Sequence, residues 1–236
     1  CVSNYIRQCF LDGVDASAAL AAKTHVVHNG VERLQKKQGP KKPVILFVGR
    51  MVAEKGVLEL AEAAAQILPN HPEWQLCLAG AKGFEVAEKS PYEKQVESAL
   101  VRLGAQAQMT GFLPYADIRT LQGEAAIIAC PSIWQDPMPK VVLEALAAGS
   151  ALLASRRGGI PEAAEGRAHI VDDPNVDTLA SAIEQLIADD SYRNNLQQAA
   201  WADFPFTAKQ MAADADAARN AAISAPVEPQ KHGLGG

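Results

Sequence analysis

AIIACPSIWQDPMPKVVLEALAAGSALLAS, residues 126–155, is the stretch on which the fold turns. It opens on AIIAC (126–130) and closes on ALLAS (151–155). Short, continuous apolar runs bounded by turn signals read as buried strands. Between them lies a loop carrying Asp136, Pro137 and Pro139, then an apolar segment at 140–148. Gly149 follows, the residue type favoured just past a helix C-terminus. Proline restricts the residue before it and fits the first helical turn, so Asp136 stays on the loop and the helix starts near Pro139. Strand, helix and strand in succession make a βαβ unit with parallel neighbours.

The same alternation extends both ways. VILFV (44–48), QLCLAG (75–80), AQMTG (107–111) and AHIV (168–171) read as further strands. Residues 56–68 place Val57, Leu60, Ala61, Ala64 and Leu68 on one helical face. Helices are expected at 91–103, 115–122, after Gly159, at 176–189 and at 191–202, with an Ala-rich helix beyond. The strands lack polar alternation, so both faces of the sheet should be covered. The predicted fold is a doubly wound α/β domain: a Rossmann-like, three-layer α/β/α arrangement around a parallel sheet. Such sheets bind ligands beyond the carboxyl ends of their strands.

Upstream, NYIRQCFL reads as a helix end and THVVHNGV as a short strand entering an Asn-Gly turn. QKKQGPKKP (35–43) is polar and basic and reads as a linker. The expected division is therefore 1–34, the linker at 35–43, the main domain at 44–223, and a disordered tail at 224–236. The chain begins at Cys1 in mid-pattern, as a piece of something longer would.

Composition excludes several classes. A 48% hydrophobic content supports a sizeable core, and a net charge of −5 with no Lys/Arg run argues against nucleic-acid binding. No apolar run approaches the ~20 residues that span a bilayer, and no signal peptide is visible. Cys1, Cys9, Cys77 and Cys130 lack metal or redox spacing, and the last two fall in strand-like runs as small buried hydrophobes. A reduced, cytoplasmic setting is expected, with membrane contact at most peripheral, at the inner face. There is no G-x-G-x-x-G, Walker A or G-x-S-x-G motif. His25 and His28 are poorly spaced for joint ligation, and Asp214 and Asp216 read as a solvated helix face. No metal and no cofactor are expected.

Three constellations remain. In FVGRMVAEKG (47–56), Arg50 follows the first strand and Lys55 stands at the start of the next helix. Free N–H groups and the dipole attract anions there, and two cations suit a diphosphate. Equally, Arg50 could pair with Glu54 and Lys55 could be solvated. In the 131–149 block, Lys140 lies in a first helical turn, where a cation is disfavoured unless an anion binds. Glu144 is a lone carboxylate among Val141, Val142, Leu143, Ala145 and Leu146. Burying it is costly without partners. A vicinal diol such as ribose could satisfy both oxygens, a salt bridge could offset the cost, or the helix could carry an exposed stripe. In SRRGGIPEA (155–163), the Gly-Gly pair allows close backbone approach, and Glu162 suits the start of the following helix.

Taken in order, these elements resemble the C-terminal, donor-binding half of retaining family 4 glycosyltransferases of the GT-B fold. VVHNGVE resembles the interdomain crossover of that family, ILFVGRMVAEKG its G-R-x-x-x-x-K-G element, and residues 131–162 its two-acid block ending in G-G-x-P-E. The resemblance spans about residues 20–200. It implies that Arg50 and Lys55 hold the donor diphosphate beside Gly49, which also belongs to the donor site, Asp136 the hexose hydroxyls and Glu144 the ribose. The loop with Met138, Pro139, Lys140 and Val141 would pass over sugar and phosphate, and Phe112 and Leu113 would line the base pocket. Arg50, Lys55 and Asp136 would be the catalytic set.

The implied activity is metal-independent transfer of a hexose, with retention, from a nucleoside-diphosphate sugar such as a UDP-sugar. The acceptor would be a glycan or lipid-linked, in cell-envelope polysaccharide or lipopolysaccharide synthesis. Asp136 stands where Glu is usual, and Pro139 where Gly is commonest. The acceptor-binding N-terminal domain is missing apart from residues 1–34, so this chain alone should be weak or inactive. The alternative is a donor-binding module without transfer activity of its own. A GT-B sugar epimerase fits the two-acid block less well.

Overall fold

The computed structural model describes residues 1–14, 17–35, 39–83, 88–202 and 204–224. Residues 36–38 of the expected linker and the expected tail from 225 onward lie outside them. Six strands form one sheet: β1 Lys42–Val48, β2 Gln75–Ala79, β3 Ala107–Gly111, β4 Ala125–Cys130, β5 Ala151–Ser155 and β6 Ala168–Val171. All neighbours are parallel, in the order β3-β2-β1-β4-β5-β6. The chain winds outward from β1 to β3, then returns to the other side of β1. Between β1 and β4 the direction of winding reverses, which opens a crevice at the carboxyl ends of those strands.

Ten helices are described: α1 Asn4–Gly13, α2 Ala18–Lys23, α3 Val57–Ile67, α4 Pro91–Leu100, α5 Tyr115–Glu124, α6 Lys140–Ala147, α7 Ile160–Ala164, α8 Val176–Ala188, α9 Asp190–Ala202 and α10 Ala208–Ser224. Successive strand residues point to opposite faces. Accordingly Ile45 and Phe47 pack with α3 and α8 on one side, and Leu46 packs with α6 and α7 on the other. Two buried faces explain the unbroken apolar strands. Cys77 and Cys130 are buried in the second layer, as expected.

Two differences from the sequence reading have local causes. First, β1 takes in Lys42 and Pro43, which the linker was expected to hold. The β1–β4 register shifts between Lys42 and Ile45, at the point where Pro43 has no N–H for the ladder. Second, residues 24–31 form no strand, because no strand lies alongside them. Only Val31 makes an isolated bridge, to Thr207. The Val27 N–H donates to the Cys1 carbonyl at 2.8 Å, and the Val31 N–H to Phe206 at 2.9 Å.

NYIRQCFL belongs to a full ten-residue helix, α1. Its start is docked on the α/β body by Glu162, whose carboxylate accepts the backbone N–H groups of Asn4 and Tyr5, each at 2.8 Å. Glu162 thus caps α1 across space as well as sitting in the first turn of its own helix, α7. Among the described residues, no helix is long and apolar enough to cross a membrane.

Candidate active site

The turn after β1 and the loop after β4 meet at the crevice. Glu54 accepts the backbone N–H groups of Ile133 (2.9 Å) and Trp134 (3.4 Å) through its carbonyl. Gly56 makes this possible: its φ is +67°, and a Cβ there would stand 2.1 Å from the Pro131 oxygen. Lys55, closing a short 3-10 turn at Ala53–Lys55, reaches across the crevice and its ammonium bonds the Asp136 carboxylate. Asp136 is 4% exposed, and Ser132 Oγ donates to the same oxygen at 3.4 Å. Buried and charged, Asp136 needs these partners.

Asp136 is held from the other side by the Gly-Gly pair. The Gly159 N–H donates to the Asp136 carbonyl at 2.8 Å, and the Gly158 N–H to Gln135 Oε1 at 2.6 Å. A Cβ on Gly158 would lie 2.0 Å from the Asp136 oxygen. The close approach that Gly-Gly permits is therefore to the neighbouring loop. Below it, burial and then the Asp136 charge push the Cys130 thiol up to about 12. A thiol held protonated is no nucleophile.

Glu144 sits one turn into α6 and is 8% exposed, so the exposed-stripe alternative is excluded. Among the described residues no cation pairs with it, which excludes the salt bridge. Its partners are neutral: Gln122 Nε2 donates to Oε2 at 2.8 Å, and Tyr115 Oη lies 3.5 Å from Oε1. An ionised carboxylate offers about four acceptor sites, so capacity remains, chiefly on Oε1. Gln122 already engages Oε2, and Oε1 keeps the larger free capacity.

The structure therefore makes two clusters: Lys55 with Asp136, and Glu144 with Tyr115 and Gln122. Arg50 is exposed and pairs with Glu54 at 3.7 Å. Lys140 is exposed at the N-terminus of α6, whose N-cap is Pro139. Phe112 is exposed and Leu113 half-buried just after β3. Val141 is half-buried against the second apolar layer. Met138 is 4% exposed and its side chain belongs to that layer. Gly49, at the end of β1, donates its N–H to the Ala79 carbonyl at 3.0 Å.

Sequence reasoning missed Tyr115 and Gln122. Tyr115 lies in the same GFLPYAD stretch as Phe112 and Leu113, Gln122 lies in no motif, and only the fold brings their side chains to Glu144. Burial and then the Glu144 charge raise the pKa of Tyr115. A cavity of about 370 Å³ lies at the opposite end of the sheet, lined by Lys42, Gly123, Gly149 and Trp201 among others, and it contains none of these residues.

A doubly wound parallel sheet with a crevice at its switch point defines a Rossmann-like α/β protein. The particular family follows from the sequence: residues 31–202 match Glycosyl transferases group 1, and the chain belongs to that family. It is 30% identical to the alpha-maltose-1-phosphate synthase of Mycolicibacterium smegmatis, covering 80% of this chain and 58% of the relative. It is 29% identical to the lipopolysaccharide 1,2-N-acetylglucosaminetransferase of Salmonella typhimurium, covering 62% of this chain and 39% of that one. Among solved structures, Anabaena Alr3699/HepE in complex with UDP superposes with a TM-score of 0.78 at 22% identity, over 94% of this chain and 63% of that one. The fold is that of GT-B glycosyltransferases. The chain spans about half the length of the curated relatives it matches.

Proposed function

We propose that this chain is the C-terminal, donor-binding half of a retaining family 4 glycosyltransferase. The observation that carries the reading is Glu144: a buried carboxylate beside the switch-point crevice, held by neutral donors and with acceptor capacity left over. A sugar diol supplies the donors such a group lacks. Arg50 and Lys55 would neutralise the diphosphate and stabilise the charge that develops on the leaving group. Lys55 has three N–H donors, so it can keep Asp136 in place and still bond a phosphate oxygen. Asp136, oriented by Lys55 and Ser132, would meet the hexose hydroxyls. Pro139, Lys140 and Val141 would border sugar and phosphate, and Phe112, Leu113 and the exposed Tyr115 the base.

The complete enzyme would transfer a hexose, with retention and without a metal, to a glycan or lipid-linked acceptor. Cell-envelope polysaccharide or lipopolysaccharide synthesis is the setting supported by the Salmonella relative, and a UDP-sugar the donor supported by the Anabaena complex. Calorimetry with UDP, GDP and ADP in the presence of chelator tests the donor site. One of the three should bind. No heat from any of them, with folded protein, would sink the reading.

A further inference from the structure

We infer that Gln122 and Arg119 of α5 are positioning residues that aim the Glu144 carboxylate at the ribose. The inference rests on the donor-site reading above and extends it to two residues that no motif contains. Gln122 is fully buried. Its Nε2 donates to Glu144 Oε2 at 2.8 Å, while its Oε1 accepts from Arg119 Nη1 at 2.9 Å.

The amide has only one orientation compatible with both neighbours. A guanidinium can only donate and a carboxylate can only accept. Flipping the amide would set N–H against N–H on one side and oxygen against oxygen on the other. Arg119 therefore decides which way Gln122 faces, and Gln122 decides which oxygen of Glu144 is occupied. Oε2 is tied down, and Oε1 is left toward the exposed Tyr115.

The relay is anchored at both ends. Arg119 Nη2 donates to the Glu32 carbonyl at 2.7 Å, on the segment entering the α/β body. The backbone carbonyl of Gln122, in the last turn of α5, accepts from the fully buried Ser150 hydroxyl at 3.1 Å. That hydroxyl also contacts the Ala125 carbonyl at 3.0 Å. A buried amide fixed in side chain and backbone cannot relax to follow its partner. It holds the carboxylate still, so that ordering it is not charged to the ligand on binding.

The test is the affinity ratio between UDP and 2′,3′-dideoxy-UDP, measured by calorimetry on wild type, Gln122→Met and Arg119→Met. Wild type should prefer UDP by about tenfold or more, as expected for one lost charge-assisted hydrogen bond. Both variants should cut that preference severalfold while dideoxy-UDP affinity stays within about twofold, since the diphosphate grip is untouched. Arg119 is only half-buried, so its variant keeps the test open if Gln122→Met fails to fold. Full ribose preference in a folded variant would overturn the positioning role. A wild type that binds both nucleotides equally would instead overturn the ribose role of Glu144, and this inference with it.

Discussion

Glu144 shows how an interior acid can be stable with no counter-charge. Its helix surrounds it with Val, Leu and Ala, and Lys140 one turn earlier forms no ion pair with it, yet one amide and one phenol from α5 are in reach. Glu144→Gln keeps volume and an acceptor for Gln122 and removes the buried charge. We expect melting to change little, within about 1 kcal/mol, because the lost desolvation cost offsets the weaker hydrogen bond. Donor affinity should fall by roughly 1–3 kcal/mol, the worth of a hydrogen bond to a charged group. Thermal melting and calorimetry on this one variant check both numbers, and a large stability loss without loss of binding would refute the ribose role. The oddity of Glu144 was legible in the sequence because a lone acid in an apolar helix demands a reason. Its partners were not, since Gln122 and Tyr115 lie 22 and 29 residues upstream and tertiary packing alone brings them close.

At the scale of elements, the strands were legible because both faces of a parallel sheet exclude polar residues. The 24–31 segment misled because β-branched residues beside an Asn-Gly turn look like a strand whether or not another strand lies within reach. Nor could the sequence say what a Gly-Gly pair comes close to. Gly158 and Gly104 have nearly the same φ, +55° and +51°, but Gly104 has nothing near its missing Cβ whereas Gly158 faces the Asp136 backbone. Gly104→Ala should therefore cost backbone strain alone, roughly 1–3 kcal/mol, because its ψ of −120° lies outside the left-handed helical well. Gly158→Ala adds a steric clash worth roughly another 1–3 kcal/mol by displacing the loop. Because that loop carries Asp136, Gly158→Ala should also weaken donor binding, and Gly104→Ala should not. Chemical denaturation and a donor titration of the pair distinguish strain from position, and equal losses for both would show that the Asp136 loop yields freely.

Across the described residues, α1 and the segment around His28 are fastened to the six-stranded α/β body. At the start of α1, Glu162 makes that fastening. Its carboxylate receives the backbone N–H groups of Asn4 and Tyr5 and the side chains of Asn4 and His28. Burial pushes its pKa up, but these hydrogen bonds outweigh burial and leave it below the ordinary value of 4.5. A carboxylate with a lowered folded pKa contributes stability above its unfolded pKa and loses it as pH falls through the folded one. Glu162→Gln keeps one acceptor and loses the charge, so near pH 7 it should destabilise by about 1–2 kcal/mol. In a chain of this size that is a drop of several degrees, at about 2–4 °C per kcal/mol. As wild-type Glu162 itself becomes protonated, the difference between the two proteins should close. Melting temperatures of both, followed from neutral pH down through 4.5 into acid, measure that gap. A gap that stays constant across the range would mean that the charge of Glu162 has no part in holding α1, and that the two backbone hydrogen bonds serve equally well with a neutral acceptor.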